Sequence, residues 1–244
     1  MALLEVTGLV RRFRGLAAVD GLSFVVEAGQ AVAIIGPNGA GKSTAFNLVS
    51  GSLHAHAGTI RFDGRDITGA PPHIRTRAGL GRTFQVVQPF GDLDVLGNVM
   101  VGALFGGTER PGVAAARATA ERLCEMVGLG DRVATPVSAL TIADRKRLEL
   151  ARALATGPKL LLLDELMEGL TPTEEREAIA LLARVRATGV TLLLIEHVMT
   201  TVRDLSDHVI VMDYGKKLAE GDYLSVSRDP AVIAAYLGTE EVAS

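Results

Sequence analysis

Ala31-Val-Ala-Ile-Ile-Gly-Pro-Asn-Gly-Ala-Gly-Lys-Ser-Thr44 is the stretch on which the fold turns. Its first part, Ala31–Ile35, is apolar at every position. A strand that is apolar on both faces belongs inside a parallel sheet. The second part, Gly36-Pro37-Asn38-Gly39-Ala40-Gly41-Lys42-Ser43, matches G-x-x-x-x-G-K-[ST] at every fixed position. Thr44–Ser50 then reads as a helix that stops at Gly51, a residue suited to the left-handed position past a helix end. Strand, glycine loop and helix in this order make a cradle for anions. The glycines let the backbone wrap closely, with N–H groups turned toward phosphate oxygens, and the helix adds its positive N-terminal end. Lys42 has the reach for β- and γ-phosphates, and the Ser43 hydroxyl can ligate Mg²⁺.

Working outward, Leu160-Leu-Leu-Leu-Asp-Glu165 is a second buried strand with two acids at its C-terminal end, the edge where parallel α/β sheets bind ligands. Asp164 there can hold Mg²⁺, and Glu165 can orient an attacking water or take its proton. Val190–Ile195 is a third buried strand, ending at Glu196-His197. Between them Thr171-Pro-Thr-Glu174 is a capping box with proline at the first helical position, so a helix runs from there to Gly189. Leu3–Thr7 and Leu22–Glu27 are strand-like and are separated by the basic stretch Arg11-Arg-Phe-Arg14. Thr59–Phe62 runs into a turn at Asp63-Gly64; Val209–Met212 and Lys217–Ala219 form a hairpin about Tyr214-Gly215; Asp229-Pro230 opens a last helix to Leu237. Residues 70–135 show no buried-strand run and one clear helix, Val113–Val127, closed by Gly128, so 87–155 reads as a helical insertion. Buried strands alternating with helices imply an α/β core with a mostly parallel sheet.

Composition sets the outer bounds. Of 244 residues, 48% are hydrophobic and 22% charged, which fits a packed domain. A net charge of −3 argues against a nucleic-acid binder driven by bulk positive charge. The longest unbroken apolar run, Ala231–Leu237, falls far short of the roughly 20 residues that span a bilayer, and the opening Met-Ala-Leu-Leu-Glu lacks the basic region of a secretory signal. Cys124 is alone, which suits a reducing cytoplasm. No Asn-Lys-x-Asp guanine-reading segment occurs, which disfavours GTP.

With these residues in place, the sequence resembles an ATP-binding-cassette (ABC) ATPase. Within that superfamily it is most similar to ATPase subunits of branched-chain amino-acid type importers. The resemblance is carried by Leu16-Ala-Ala-Val-Asp-Gly-Leu-Ser-Phe24, Phe46-Asn-Leu48, Pro71-Pro-His73, Gly81-Arg-Thr-Phe-Gln85, Glu196-His197 and Tyr236-Leu-Gly238. It implies a P-loop NTPase (RecA-like) core with an antiparallel β subdomain, residues 1–86 and 156–244, and a helical subdomain, 87–155. It implies ATP and Mg²⁺ as ligands. Phe13 would stack on adenine, and Gly36, Pro37, Asn38, Gly39, Ala40, Gly41, Lys42, Ser43 and Thr44 would hold the phosphates. Ser43, Gln85 and Asp164 would form the Mg²⁺ shell. Glu165, His197 and Gln85 would be the catalytic groups, with His197 and Gln85 sensing the γ-phosphate.

The family signature is usually Leu-Ser-Gly-Gly-Gln, acting in trans on ATP held by the opposite subunit. The aligned stretch here is Leu140-Thr141-Ile142-Ala143-Asp144. Ile142 and Ala143 replace glycines, and Asp144 puts negative charge where an amide usually sits. Thr141-x-x-Asp144 also reads as a plain capping box. Leu166 where the family usually has proline, Thr171 where it often has Asp or Asn, and Val198 where it often has Asp raise the prospect of a non-identical partner cassette. The resemblance further implies separate transmembrane permease subunits, a solute-binding protein acting through them, and a place on the inner face of the cell membrane, with no nucleic acid involved. Val86–Asp92 is apolar enough to take a permease loop. The alternatives are a soluble cassette ATPase acting on a non-transport assembly, and a non-hydrolytic regulatory subunit.

Overall fold

The computed structural model describes residues 1–84, 89–107 and 111–237. The chain divides into two compact units, Met1–Ala70 with Leu193–Ser244, and Pro71–Leu192.

In the first unit, β1 (Ala2–Phe13) and β2 (Leu16–Glu27) pair antiparallel, with Val6 opposite Phe24 and Leu9 opposite Leu22. The basic stretch does not separate two strands, as the sequence suggested. Arg11 and Arg12 continue β1, opposite Val19 and Ala17, and the turn falls at Arg14-Gly15, both at positive φ. An antiparallel ladder is made by backbone groups, so arginines are tolerated wherever one face meets water. β3 (Ala31–Ile35) is buried at every residue, as its apolar run requires. It leads through the glycine loop into α1 (Lys42–Ser50), which ends at Gly51 with φ 81°. β4 (Ala57–Phe62) pairs with the other edge of β1 and turns at Asp63-Gly64 into β5 (Arg65–Asp66), giving the order β2-β1-β4-β5.

The second unit opens with α2 (Pro72–Ala78) and β6 (Leu80–Arg82). Then follow α3 (Val95–Phe105), α4 (Val113–Met126), α5 (Ile142–Leu154), β7 (Leu160–Asp164) and α6 (Pro172–Ala187). β6 is parallel to β7, with Leu80 opposite Leu160 and Arg82 opposite Leu162. It lies inside 70–135, where the sequence showed no strand, because three residues are too few to display a period. Leu160–Leu163 are all but fully buried, each contributing about 1.5–3 kcal/mol of hydrophobic transfer. α6 begins at the foreseen capping box: the Thr171 hydroxyl accepts from the Glu174 amide, and the Glu174 carboxylate accepts from the Thr171 amide.

β8 (Thr191–Ile195), fully buried, starts in the second unit and ends in the first. The first unit is completed by α7 (Met199–Leu205), β9 (His208–Asp213), β10 (Lys216–Gly221), α8 (Tyr223–Ser227) and α9 (Pro230–Leu237). β3 runs parallel to β9, and β9 pairs antiparallel with β10 through a turn whose Tyr214 and Gly215 both have positive φ. The architecture is the mixed α/β one expected, with parallel pairs and a separate antiparallel sheet. No described helix is long and apolar enough to cross a membrane.

Candidate functional site

In the first unit the glycine loop is built against its neighbours so tightly that side chains are excluded. A Cβ on Gly36 would collide with the Met212 carbonyl, and one on Gly41 with the Ala18 carbonyl. Gly36, Gly39 and Gly41 have φ of 147°, 84° and 98°, backbone that side-chain-bearing residues rarely adopt. The loop is pinned by the β9–β10 turn. The Gly215 amide donates to the Ala40 carbonyl at 3.0 Å, and the Gly215 carbonyl accepts from the Asp20 amide at 2.8 Å. Lys42 is buried, and its Nζ donates to the Gly36 and Pro37 carbonyls at 2.7 and 3.0 Å, which holds the charge over the loop. Ser43 is exposed and Thr44 half-buried; Pro37 is half-buried, and Asn38 and Gly39 are exposed. A loop of this shape, with a buried lysine at a helix N-terminus, fits a polyphosphate by the chemistry of its donors.

His197 lies exposed two residues past β8, after the buried Glu196. Phe13 ends β1, is 43% exposed, and has the Arg11 guanidinium 4.8 Å from its ring centre. An open aromatic face of that kind can take a base. Tyr236 on α9 stands beside the Gly36 backbone; burial pushes its phenol above the ordinary range, with the Gly36 contact pulling the other way. It belongs to the Tyr236-Leu-Gly238 ending, but only the structure ties it to the loop.

In the second unit Asp164 ends β7 and is buried. Its Oδ2 accepts from Arg82 Nη2 at 2.9 Å, and its amide donates to Thr83 Oγ1 at 3.3 Å. The Arg82 guanidinium also lies 5.1 Å from the Phe84 ring centre, and the Phe84 amide donates to Glu149 Oε1 at 2.8 Å. Sequence reasoning missed Arg82 and Glu149. Arg82 sits inside the Gly81–Gln85 motif and Glu149 five residues past the signature, but an ion pair between residues 82 and 164, or a contact between 84 and 149, has no sequence signal. Glu165 has φ 51°, a left-handed conformation that costs a non-glycine residue about 1–2 kcal/mol. Such strain is concentrated at functional positions. The Glu165 carbonyl accepts from Lys146 Nζ at 3.2 Å. Gln85 lies outside the described residues, as do Val86–Gln88 of the expected docking stretch.

Thr141 and Ile142 are exposed at the N-terminus of α5, Ala143 is half-buried and Asp144 buried. The Thr141 hydroxyl caps α5 by accepting from the Asp144 amide at 3.1 Å and donates to Asp144 Oδ2 at 2.8 Å. The box is therefore closed through the hydroxyl. Arg132 Nη1 donates to the same Oδ2 at 2.5 Å. Among the described residues no group of three or more His, Cys, Asp or Glu is arranged for a metal. A Mg²⁺ ion held largely by phosphates and water needs none, and the Ser43 hydroxyl and Asp164 carboxylate are hard oxygen donors of the right kind.

A family model described as ABC transporter matches residues 19–168, which hold the loop, the Asp164-Glu165 pair and the 141–144 segment. The chain belongs to the ABC transporter family. A second model, for the branched-chain amino acid ATP-binding cassette transporter, matches residues 216–242 of the cassette. The cassette is 39% identical to the high-affinity branched-chain amino acid transport ATP-binding protein BraF of Pseudomonas aeruginosa, over 97% of this chain and 98% of that protein. It is 37% identical to its counterpart LivG of Escherichia coli, over the same shares. Among solved structures it resembles the ADP conformation of the ATP-binding cassette MJ1267 of an ABC transporter. There the TM-score is 0.89 and the identity 32%, over 98% of this chain and 99% of that one. The resemblance drawn from the sequence is thus borne out.

Proposed function

We propose that this cassette is the ATP-binding and ATP-hydrolysing subunit of an importer for branched-chain amino acids or related small solutes. The observation that carries the proposal is the cradle at 36–43, where glycine is obligatory at Gly36 and Gly41 and a buried lysine charge faces the loop. Its support is near-full-length similarity to transport ATP-binding proteins. Residues 1–86 and 156–244 serve as the nucleotide-binding core, and 87–155 as the helical subdomain bearing the signature.

In this proposal Phe13 stacks on adenine, and residues 36–44 hold the phosphates through backbone amides and the Lys42 ammonium. Ser43, Asp164 and Gln85 are assigned to Mg²⁺, which when bound neutralises charge on the phosphates. Glu165 accepts the proton of the attacking water, with Gln85 and His197 sensing the γ-phosphate. Thr141, Ile142, Ala143 and Asp144 meet the nucleotide of a second cassette, identical or homologous. Closure of the pair assembles the site, and product release lets it open. Permease subunits carry the solute delivered by a solute-binding protein, and the cassette sits on the inner face of the membrane.

Glu165→Gln is the test. It keeps size and hydrogen bonding but removes the base, so ATP binding should persist while turnover falls about 10²–10⁴-fold. Turnover near the parent rate would reject the assignment.

A further inference from the structure

The acid in the signature is the departure hardest to reconcile with a segment that must face a triphosphate. The structure shows how its charge is handled. The Asp144 side chain is 9% exposed, and its Oδ2 takes both the Arg132 guanidinium and the Thr141 hydroxyl. Arg132 is placed by backbone, not by chance. It closes a 3₁₀ turn after α4 by donating its amide to the Leu129 carbonyl at 3.0 Å, and its carbonyl accepts from the Thr135 amide at 2.9 Å. The next residues are fastened to the start of α3: Leu96 and Val95 amides donate to the Val133 and Thr135 carbonyls at 2.9 and 3.2 Å. The Arg132 side chain as a whole remains 49% exposed, against 9% for Asp144.

We infer that Arg132 is a positioning residue of the signature. By cancelling the Asp144 charge and keeping its carboxylate turned to Thr141, it lets the start of α5 approach the triphosphate of a second cassette although an acid stands where an amide is usual. This rests on the proposed trans role of residues 141–144. An uncompensated carboxylate there would repel the incoming phosphates, whereas a neutral side chain would need no arginine. The pair therefore acts as a substitute for the missing amide.

The experiment uses the full-length chain carrying Glu165→Gln, with pairing followed by sedimentation against ATP concentration. Arg132→Ala should raise the ATP needed for half-maximal pairing about tenfold, or ~1.4 kcal/mol, while ATP affinity of the unpaired chain is unchanged. Asp144→Asn added to Arg132→Ala should return pairing to within about threefold of the parent, and Arg132→Lys should lose less than Arg132→Ala. A merely structural arginine would leave the double variant as weak as the single one, and that result, or an Arg132→Ala variant that pairs normally, overturns the inference. Thr141→Arg separates the two levels. If it blocks pairing while Arg132→Ala does not, only the inference fails; if it leaves pairing intact, the trans assignment fails and takes the inference with it.

Discussion

Residues 36–43 and residues 141–144 are both assigned to a triphosphate, yet they are built on opposite principles. In the loop the proposed binding surface is the backbone itself, which runs against the Met212 and Ala18 carbonyls, so that glycine is irreplaceable at two positions. In the signature the helix start is held by side chains, Thr141 capping and Asp144 tied to Arg132, and Ile142 stands 62% exposed. A site made of backbone tolerates no drift in sequence. One made of compensating side chains can exchange residues as long as charge and capping are kept.

The sharpest way to break this contrast is Gly41→Val. A branched side chain at φ 98° that also meets the Ala18 carbonyl should abolish nucleotide binding and lower the melting temperature by several degrees. Normal ATP binding by that variant would erase the distinction. Lys42→Ala removes a charge but no backbone shape. ATP affinity should fall about 10–100-fold, the worth of a charged hydrogen bond, while the fold survives; unchanged titrations would remove the lysine from the site. Smaller again, Thr141→Ala and Thr171→Ala each delete a helix cap and should each cost about 1 kcal/mol, or roughly 2–4 °C in melting temperature. Only Thr141→Ala should also weaken ATP-dependent pairing, and equal effects of the two on pairing would unseat the signature.

The least effect concerns Glu149. Burial raises its carboxyl pKa above the ordinary 4.5, against the pull of the Phe84 amide and of Arg152 and Lys146. The folded chain then holds a proton that the unfolded chain releases at lower pH. Stability contributed by this group is present below 4.5 and is lost as pH rises through the raised value. Glu149→Gln keeps an acceptor for the Phe84 amide and removes the titration. Denaturant unfolding of the variant should therefore show a shallower loss of stability above pH 4.5, and an unaltered slope would mean the carboxyl is not the source.

Much of this was legible because it is local. Ala31–Ile35, Leu160–Asp164 and the box at Thr171-Glu174 announce themselves through runs and spacings within a few residues, and the structure places them there. β6, with three residues, and α2, α7 and α8, with five to seven, lay beneath the reach of periodicity, while the eleven residues of α3, Val-Leu-Gly-Asn-Val-Met-Val-Gly-Ala-Leu-Phe, are apolar on nearly every side and so show no amphipathic stripe. The arginines of β1 misled because charge suggests a loop, while an antiparallel strand with a wet face accepts it.

From the amino-acid order alone came the α/β class, the glycine loop, the acidic pair at the end of β7 and the odd acid at 144, since each is a short pattern with its own chemistry. Tertiary structure alone decided that Arg82 meets Asp164, that Glu149 holds Phe84, and that Arg132 neutralises Asp144. Those partners are brought together by strand pairing and helix packing across many residues. The charges could be counted along the chain, but only folding showed which of them meet.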